Sequence, residues 1–444
     1  MLIYLSTLTA MSSRATPTVP NPYDEILSFT FTKIRGFLAS ENDSLAELTL
    51  HSPPPHVKAD YSFSTFFLRR DRNQDATKVA SRVAQHLGDG KHRLIKRIFA
   101  VGPYVNIEVN QELFSKQVLT HIQKEADRFG LPRSERREHM SIECVSSIPT
   151  APLASDEVRM LIVANVLRTW HELAGKTVAL SYYLDSSASI NHRHREEVEK
   201  MMKRSLVRYK HCDEERDANN VVAEALKQGV AEYISGTEAV ITTPMAQLSP
   251  EILQKNDASP TRTAKHIAHI RTIAGQKELT SIIYMYSDRD ANVMATILGN
   301  ARRLDYLFTG LRFSAVGVGV MPKNIPVATS EDELRYLILG TPLHQTLTWP
   351  EGFNPKLDQI RRLISGLQTN STAVTNGAPF DLLKLLALFP TVVERAYRVN
   401  EPAFIPEYLD NIVMYLKTLE ANPDEDARDA TRIVLQNGLR LLTL

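Results

Sequence analysis

The sequence predicts an α/β chain whose core is a parallel, helix-wound sheet, preceded by a small α+β domain and followed by an all-α bundle. Three observations predict it. From residue 141 to 320, short apolar runs ("SIECV", "TVALSYYL", "SIIYMYS", "SAVGVGV") alternate with stretches of helical periodicity, the order of a parallel sheet. Ahead of them, helical segments ("YDEILSFTFTKIRGFLA", "QDATKVASRVAQHLG") mix with strand-like "LIKRIFAVG" and "YVNIEVN". Behind them, "FDLLKLLALFPTVVERAYRV", "PEYLDNIVMYLKTLE" and "DARDATRIVLQNGLRLLTL" show helical spacing alone.

In chain order, residues 1–22 are rich in Ser and Thr with a single arginine and read as a disordered tail. Residues 23–135 make the α+β domain, and the charged "RFGLPRSERREHM", ending at Met140, links it to the core. The core runs over 136–345. It opens on "SIECV", and a helix is predicted over 157–174, with Asp156 as its cap and Gly175 beyond its end. "TVALSYYL" follows, then a long polar helical region, "SIIYMYS", a helix over 290–303 and "SAVGVGV". From Glu331 the chain reads as helical, and 346–444 form the final helical domain, with "QTNSTAVTNGAP" as a polar loop.

At 444 residues, 43% of them hydrophobic, the chain can bury two or three cores, yet no apolar run approaches the roughly 20 residues of a membrane span. Two cysteines, Cys144 and Cys212, make no disulfide framework, which fits a reducing compartment and a cytoplasmic location. A net charge of +1 excludes a uniformly basic coat. Local patches remain: "HRHREEVEKMMKRSLVRYKH" offers Arg193, Arg195, Lys200, Lys203, Arg204, Arg208 and Lys210 as phosphate contacts, a solvated helix face being the alternative. "KHRLIKR" at 91–97 is weaker. His192, His194, His211 and Cys212 lack a zinc spacing and stand among cations, so no metal is expected.

The stretch "SSIPTAPLASDEVRM", residues 146–160, bears most directly on chemistry. A strand, loop and helix of this kind aim backbone N–H groups and a positive dipole end into a cleft, where such folds hold phosphates. Here Asp156 and Glu157 fill that end with negative charge, and the loop has no glycine to let a phosphate approach. It is not built for ATP, and no cofactor is expected.

The run "MSIECVSSIPTAPLASDEVRMLIVANVLRTWHELAGKTVALSYYLD" resembles, without a gap, the first half of the catalytic domain of arginyl-tRNA synthetases. That family's pattern is a strand, Ser-Ser-Asn-Pro-Thr-Gly-Pro-Leu, His-Val-Gly-His, x-Arg. The departures fall on the chemistry: Ile148 replaces the Asn, Ala154 and Glu157 the two histidines, and Asp156 the glycine. Since the family's histidines hold ATP phosphates, the resemblance implies a chain that does not adenylate. "SPTRT" stands for the family's Tyr-x-Thr-Arg-Asp, with Ser259 and Thr263 at its ends, and "MPKN" for its second signature, leaving Lys323 alone to reach a phosphate. Residues 56–122 look like the module that contacts the tRNA elbow, and 385–444 like the anticodon-binding bundle.

The resemblance therefore implies a class I aminoacyl-tRNA-synthetase-like Rossmann core between two tRNA-facing modules. With both phosphate loops lost, the chain is most similar to the fungal arginine-containing cyclodipeptide synthases. That implies joining arginine from arginyl-tRNA to a residue from a second aminoacyl-tRNA, and closing the pair into a diketopiperazine without ATP. A tRNA-binding cofactor without chemistry and a scaffold subunit remain open. On the first reading the resemblance implies that Glu143 lines the arginine pocket, or is paired structurally; that Tyr182, Tyr183 and Asp185 end at its floor, with aromatic core packing the alternative; and that Asp288 of "SDRD" holds an ammonium, or sits in a solvated turn. Asp156 or Glu157 acts as general base, or as helix cap and first-turn acid. Ser146 or Ser147 accepts an acyl group, or simply bonds the backbone.

Overall fold

The computed structural model describes residues 21–38, 48, 50–54, 56–68, 75–133, 138–146, 153–184, 196–200, 208–211, 215–244, 249–307, 310–322, 330–349, 355–368, 379–419 and 423–444. They form two compact units, each drawn from three segments. One comprises Met1–Gly130, Arg362–Val392 and Asn411–Asn437, the other Leu131–Arg361, Val393–Asp410 and Gly438–Leu444.

The first unit contains α1 (Pro22–Leu38), β1 (Tyr61–Ser64), α2 (Ala76–Gly88), β2 (Ile95–Val101), β3 (Tyr104–Val109) and α3 (Gln111–Glu125). The strands form an antiparallel sheet in the order β1-β3-β2. Local chemistry sets the helix starts: Asp75 accepts the Thr77 N–H ahead of α2, and Asn110 the Leu113 N–H ahead of α3. Val79, Ala80, Val83, Ala84 and Leu87 recur at three- and four-residue spacing and bury one face of α2.

The second unit holds β4 (His139–Ser146), α4 (Ser155–Leu173), β5 (Thr177–Leu184), β6 (Arg208–His211), α5 (Glu215–Lys227), β7 (Ala231–Tyr233), β8 (Val240–Thr242) and β9 (Ile252–Gln254). After these come α6 (Arg262–Ala274), β10 (Leu279–Ser287), α7 (Ala291–Arg303), β11 (Arg312–Val318) and α8 (Glu331–Leu339). Five strands pair in parallel in the order β11-β10-β4-β5-β6. Both faces of β4 are covered, and every residue from Met140 to Val145 is buried, as in a sheet wrapped by helices. The C-terminal helices are α9 (Lys356–Gln368), α10 (Phe380–Ala387), α11 (Phe389–Val399), α12 (Phe404–Lys417) and α13 (Glu425–Leu441).

Two expectations are corrected. The region between β5 and β10, read as long and helical, contains β6 and the antiparallel sheet β7-β8-β9 besides its helices. These strands are three or four residues long, too short to impose a period of two, and β6 is a charged edge strand, Arg-Tyr-Lys-His. Asp156, expected to cap α4, lies inside its first turn; Ala154 is the N-cap. Alanine has no acceptor to offer, so the cap is made from the other direction, by Glu157 Oε2 accepting the Ala154 N–H at 3.0 Å.

Candidate functional site

Topology places the site. From β4 the chain passes through α4 to β5 on one side; from the adjacent β10 it passes through α7 to β11 on the other. The two connections diverge, so a crevice opens beyond the C-terminal ends of β4 and β10, where folds of this class bind ligands. The first turn of α4 and the segment Ser287–Asp290 border it.

The start of α4 is filled by the chain's own groups. Asp156 is 3% exposed, and Arg289 grips it, Nε donating to Oδ2 at 3.1 Å and Nη2 approaching Oδ1. Glu157, 7% exposed, accepts the Tyr182 hydroxyl at Oε1 (3.0 Å) besides the backbone N–H at Oε2. The Ser155 hydroxyl donates to the Met321 carbonyl at 2.7 Å. One turn on, Arg159 is fully buried, and its guanidinium donates to the carbonyls of Gly319, Gln345, Thr341 and Pro342 at 2.6–3.1 Å. Burial pushes Arg159 down to about 10, with Glu401 and Asp288 opposing that shift. Gly319 has no room for a side chain: a Cβ would collide with the Gln345 carbonyl and stand 3.0 Å from Arg159 Nη1. The sequence "VGVGV" therefore reflects this close approach as much as strand packing.

Alternation along β5 sends neighbouring tyrosines to opposite faces. Tyr182 meets α4 through Glu157, while Tyr183 faces the helices α5–α7 and stacks on His269 at 3.9 Å between ring centroids. On that second face Glu143 is fully buried, accepting the Ser141 hydroxyl at Oε1 (2.5 Å) and lying 3.2 Å from His269 Nε2 at Oε2. In register with Glu143 stand Ser181 on β5 and Tyr284 on β10, and the Tyr284 hydroxyl lies 3.0 Å from His266 Nδ1.

The substrate-binding and catalytic candidates thus fall into two groups. Asp156, Glu157 and Tyr182 gather at the start of α4, and Glu143 and Tyr183 gather around His269 on the other face. Asp288 sits at the crevice itself, half-buried, with burial raising its carboxyl above the usual range while Arg159 and His344 act against the rise. Ser147, Asp185, Arg193, Arg195, Lys203, Arg204, Ile148 and Lys323 lie outside the described residues, as do the side chains of Ser146, Arg208 and Lys210. Lys200 is exposed, 3.7 Å from Glu331. In "SPTRT", Ser259 bonds Asp257 in a turn, Thr261 caps α6 and Thr263 is buried.

Arg289, Arg159 and His269 were not among the residues singled out from the sequence. Arg289 stood within the quoted "SDRD", but nothing local marks an arginine as the partner of an acid 133 positions away. Two signals were usable: Arg159 keeps the arginine that ends the family pattern, and His266 and His269 stand three apart on one helix. Among the described residues, no group of three or more His, Cys, Asp or Glu is placed to hold a metal ion, and no helix is long and apolar enough to cross a membrane.

Comparison with known proteins agrees with this geometry at the level of fold. No model of a known protein family matches the chain. The arginine–tRNA ligase of Methanococcus maripaludis strain S2 is 28% identical over 154 residues, 34% of this chain and 26% of that protein. The corresponding ligase of Methanococcus aeolicus is 30% identical over 139 residues, 31% and 24% of the two chains. The match therefore spans about a quarter of the length of these relatives. Among solved structures, arginyl-tRNA synthetase from Plasmodium falciparum superposes with a TM-score of 0.72 over 96% of this chain and 99% of that one, at 10% identity. That from Thermus thermophilus gives 0.69 over 95% and 99%, at 12% identity. The chain is distantly similar in sequence to arginyl-tRNA synthetases and has their α/β fold, with the parallel core, the N-terminal antiparallel region and the C-terminal helices.

Proposed function

We propose that this arginyl-tRNA-synthetase-like chain is an aminoacyl-tRNA-dependent cyclodipeptide synthase, which joins arginine from arginyl-tRNA to a second aminoacyl group and closes the pair into a diketopiperazine. An aminoacyl ester is already activated, so amide formation from it needs positioning, proton transfer and stabilisation of an oxyanion, but no ATP. One observation carries the reading: the first turn of α4, where a synthetase-like fold would take phosphates, is occupied by the Asp156–Arg289 pair and by Glu157 on the Ala154 N–H. A phosphate there would meet two buried carboxylates, a repulsion that a helix dipole worth about 1 kcal/mol does not offset. The domain division expected at 22, 135 and 345 belongs to this proposal, with the flanking modules gripping tRNA.

A second reading, a tRNA-binding cofactor without chemistry, draws on the engagement of both Glu157 oxygens and of Glu143 in internal bonds. One experiment separates the two. The purified protein is supplied with tRNA, purified synthetases, ATP and labelled arginine together with each other amino acid, and cyclic dipeptides are sought with and without RNase. An RNase-sensitive cyclo(Arg-Xaa) product supports synthesis. Tight tRNA binding without product supports the cofactor, and arginine-dependent ATP–pyrophosphate exchange by the protein alone overturns both.

A further inference from the structure

Among the described residues four carboxylates border the crevice between β4 and β10, and three of them are engaged: Asp156 by Arg289, Glu157 by Tyr182 and the Ala154 N–H, and Asp290 by Arg262. Asp288 differs. It is the first residue beyond β10, at the divergence of the two connections; its carbonyl accepts the Ala291 N–H, but among the described residues its carboxylate makes neither a hydrogen bond nor an ion pair. Its position is fixed from two sides. The Ser287 hydroxyl accepts the Arg289 N–H and starts a single 3₁₀ turn over Asp288–Asp290. The carboxylate lies against Gly317 of β11, where any Cβ would collide with its Oδ1. A small residue in the neighbouring strand thus makes room for an acid at the mouth of the site.

We propose that the Asp288 carboxylate is the general base that takes a proton from the attacking α-ammonium group during peptide-bond formation. The inference rests on the synthase reading and moves the base from Asp156 or Glu157, both engaged in internal bonds, to Asp288, which the resemblance placed beside the ammonium. One ammonium proton passes to Asp288 and on to water. The freed nitrogen lone pair forms the C–N bond with the carbonyl carbon of the other aminoacyl ester. The C–O bond to the ribose breaks, and its electron pair stays on the ribose oxygen, which takes the second proton the nitrogen loses. The charged and titratable groups that face Asp288 are Arg159 of α4, which also faces Glu401, and His344 of the loop after α8. Its chain neighbours are turned elsewhere, Arg289 to Asp156 and Asp290 to Arg262 at 3.6 Å. Burial holds the Asp288 carboxyl above the usual carboxylate range, which makes its carboxylate a stronger base.

The test compares the wild-type protein with Asp288→Asn, which keeps size and polarity but accepts no proton, in dipeptide synthesis from pre-charged tRNAs. Thermal unfolding and tRNA affinity are measured alongside. We expect a fall of about a hundredfold or more in kcat at pH 7, the range of general-base catalysis, with KM and tRNA affinity unchanged. We also expect residual activity that climbs with pH towards the α-amino pKa of about 8, as free amine forms without help. Asp288→Asn activity within threefold of wild type, or a rise in KM with kcat unchanged, overturns the base. If Asp288→Asn unfolds, Gly317→Ala, which displaces the carboxylate, serves in its place and must lower kcat. Absence of product from the wild-type protein removes the synthase reading and this inference with it, whereas an active wild type with an unaffected Asp288→Asn removes the inference alone.

Discussion

Asp156 and Glu157 are adjacent acids in one helical turn, but the geometry gives them different partners. Asp156 meets a guanidinium that is itself largely exposed, so water can stand in for much of that pair. Glu157 meets a partly buried backbone N–H and a fully buried phenol, and the phenol has no water as a substitute. Replacing Glu157 with Ala should therefore cost about 2–3 kcal/mol, the loss of two charge-assisted hydrogen bonds that leaves a donor stranded. Glu157→Gln keeps one acceptor and should cost about 1 kcal/mol. Urea midpoints compared at constant slope read both, and equal midpoints for the two variants would show that the bonds do not stabilise the fold. Part of this was legible. The acids at the start of α4 and the absence of glycine before them stand in the sequence, whereas their partners Arg289 and Tyr182 are supplied by other elements, and no local pattern encodes such a pairing. Glu143 shows the same limit: its strand position is readable, but His269 beside it is not.

At the scale of the element, α4 shows why the parallel core was readable and its surroundings were not. The helix is buried nearly all round, with every residue from Arg159 to Arg168 buried and the run Met160–Val166 apolar but for Asn165, because both it and the strand before it lie in the interior. Long buried elements impose their period on the sequence; the short β6–β9 do not, so they dissolve into the polar background. The far end of α4 carries a consequence for pH. His171 is buried, with Nδ1 3.0 Å from the Tyr397 hydroxyl, and burial, aided by the charge of Lys176, pushes its imidazole down to about 3. The unfolded chain takes up this proton as pH falls past about 6.5, but the folded chain does so only near 3. Between those values the unfolded state binds more protons, so the stability present above pH 6.5 is lost progressively on acidification. His171→Phe should flatten this limb: the difference between urea midpoints at pH 7 and pH 5 should shrink relative to the wild-type protein. An unchanged difference would assign the acid sensitivity to other groups.

At the scale of the molecule, the chain does not deliver its units as contiguous pieces. The unit that holds the crevice takes Leu131–Arg361 but also Val393–Asp410 and Gly438–Leu444. The late segments are bonded into it at buried positions. The Trp170 indole donates to the Leu441 carbonyl at 2.8 Å, Tyr336 donates to Asp410 at 2.9 Å, and Glu401 accepts the Leu343 N–H at 3.0 Å. Compositional reading cannot reveal this, because helices that close a distant core look the same in sequence as helices that close their own. The stretch 136–345 reads as an independent domain, yet expressed alone it would expose Trp170, which is 1% exposed in the full chain, and would lose the bonds that its N–H and the Leu343 N–H donate to the late segments. Each lost hydrogen bond costs about 1 kcal/mol and the uncovered aromatic side chain about 1.5–3 kcal/mol, a large share of the 5–15 kcal/mol that stabilises a typical domain. The fragment 136–345 should therefore lack a cooperative urea transition and bind hydrophobic dyes, while the full chain unfolds cooperatively. Supplying the fragment 346–444 in trans should restore a transition if the late segments close the core, since they would dock back onto the surfaces left bare. A fragment 136–345 that unfolds cooperatively by itself would show that those segments are peripheral.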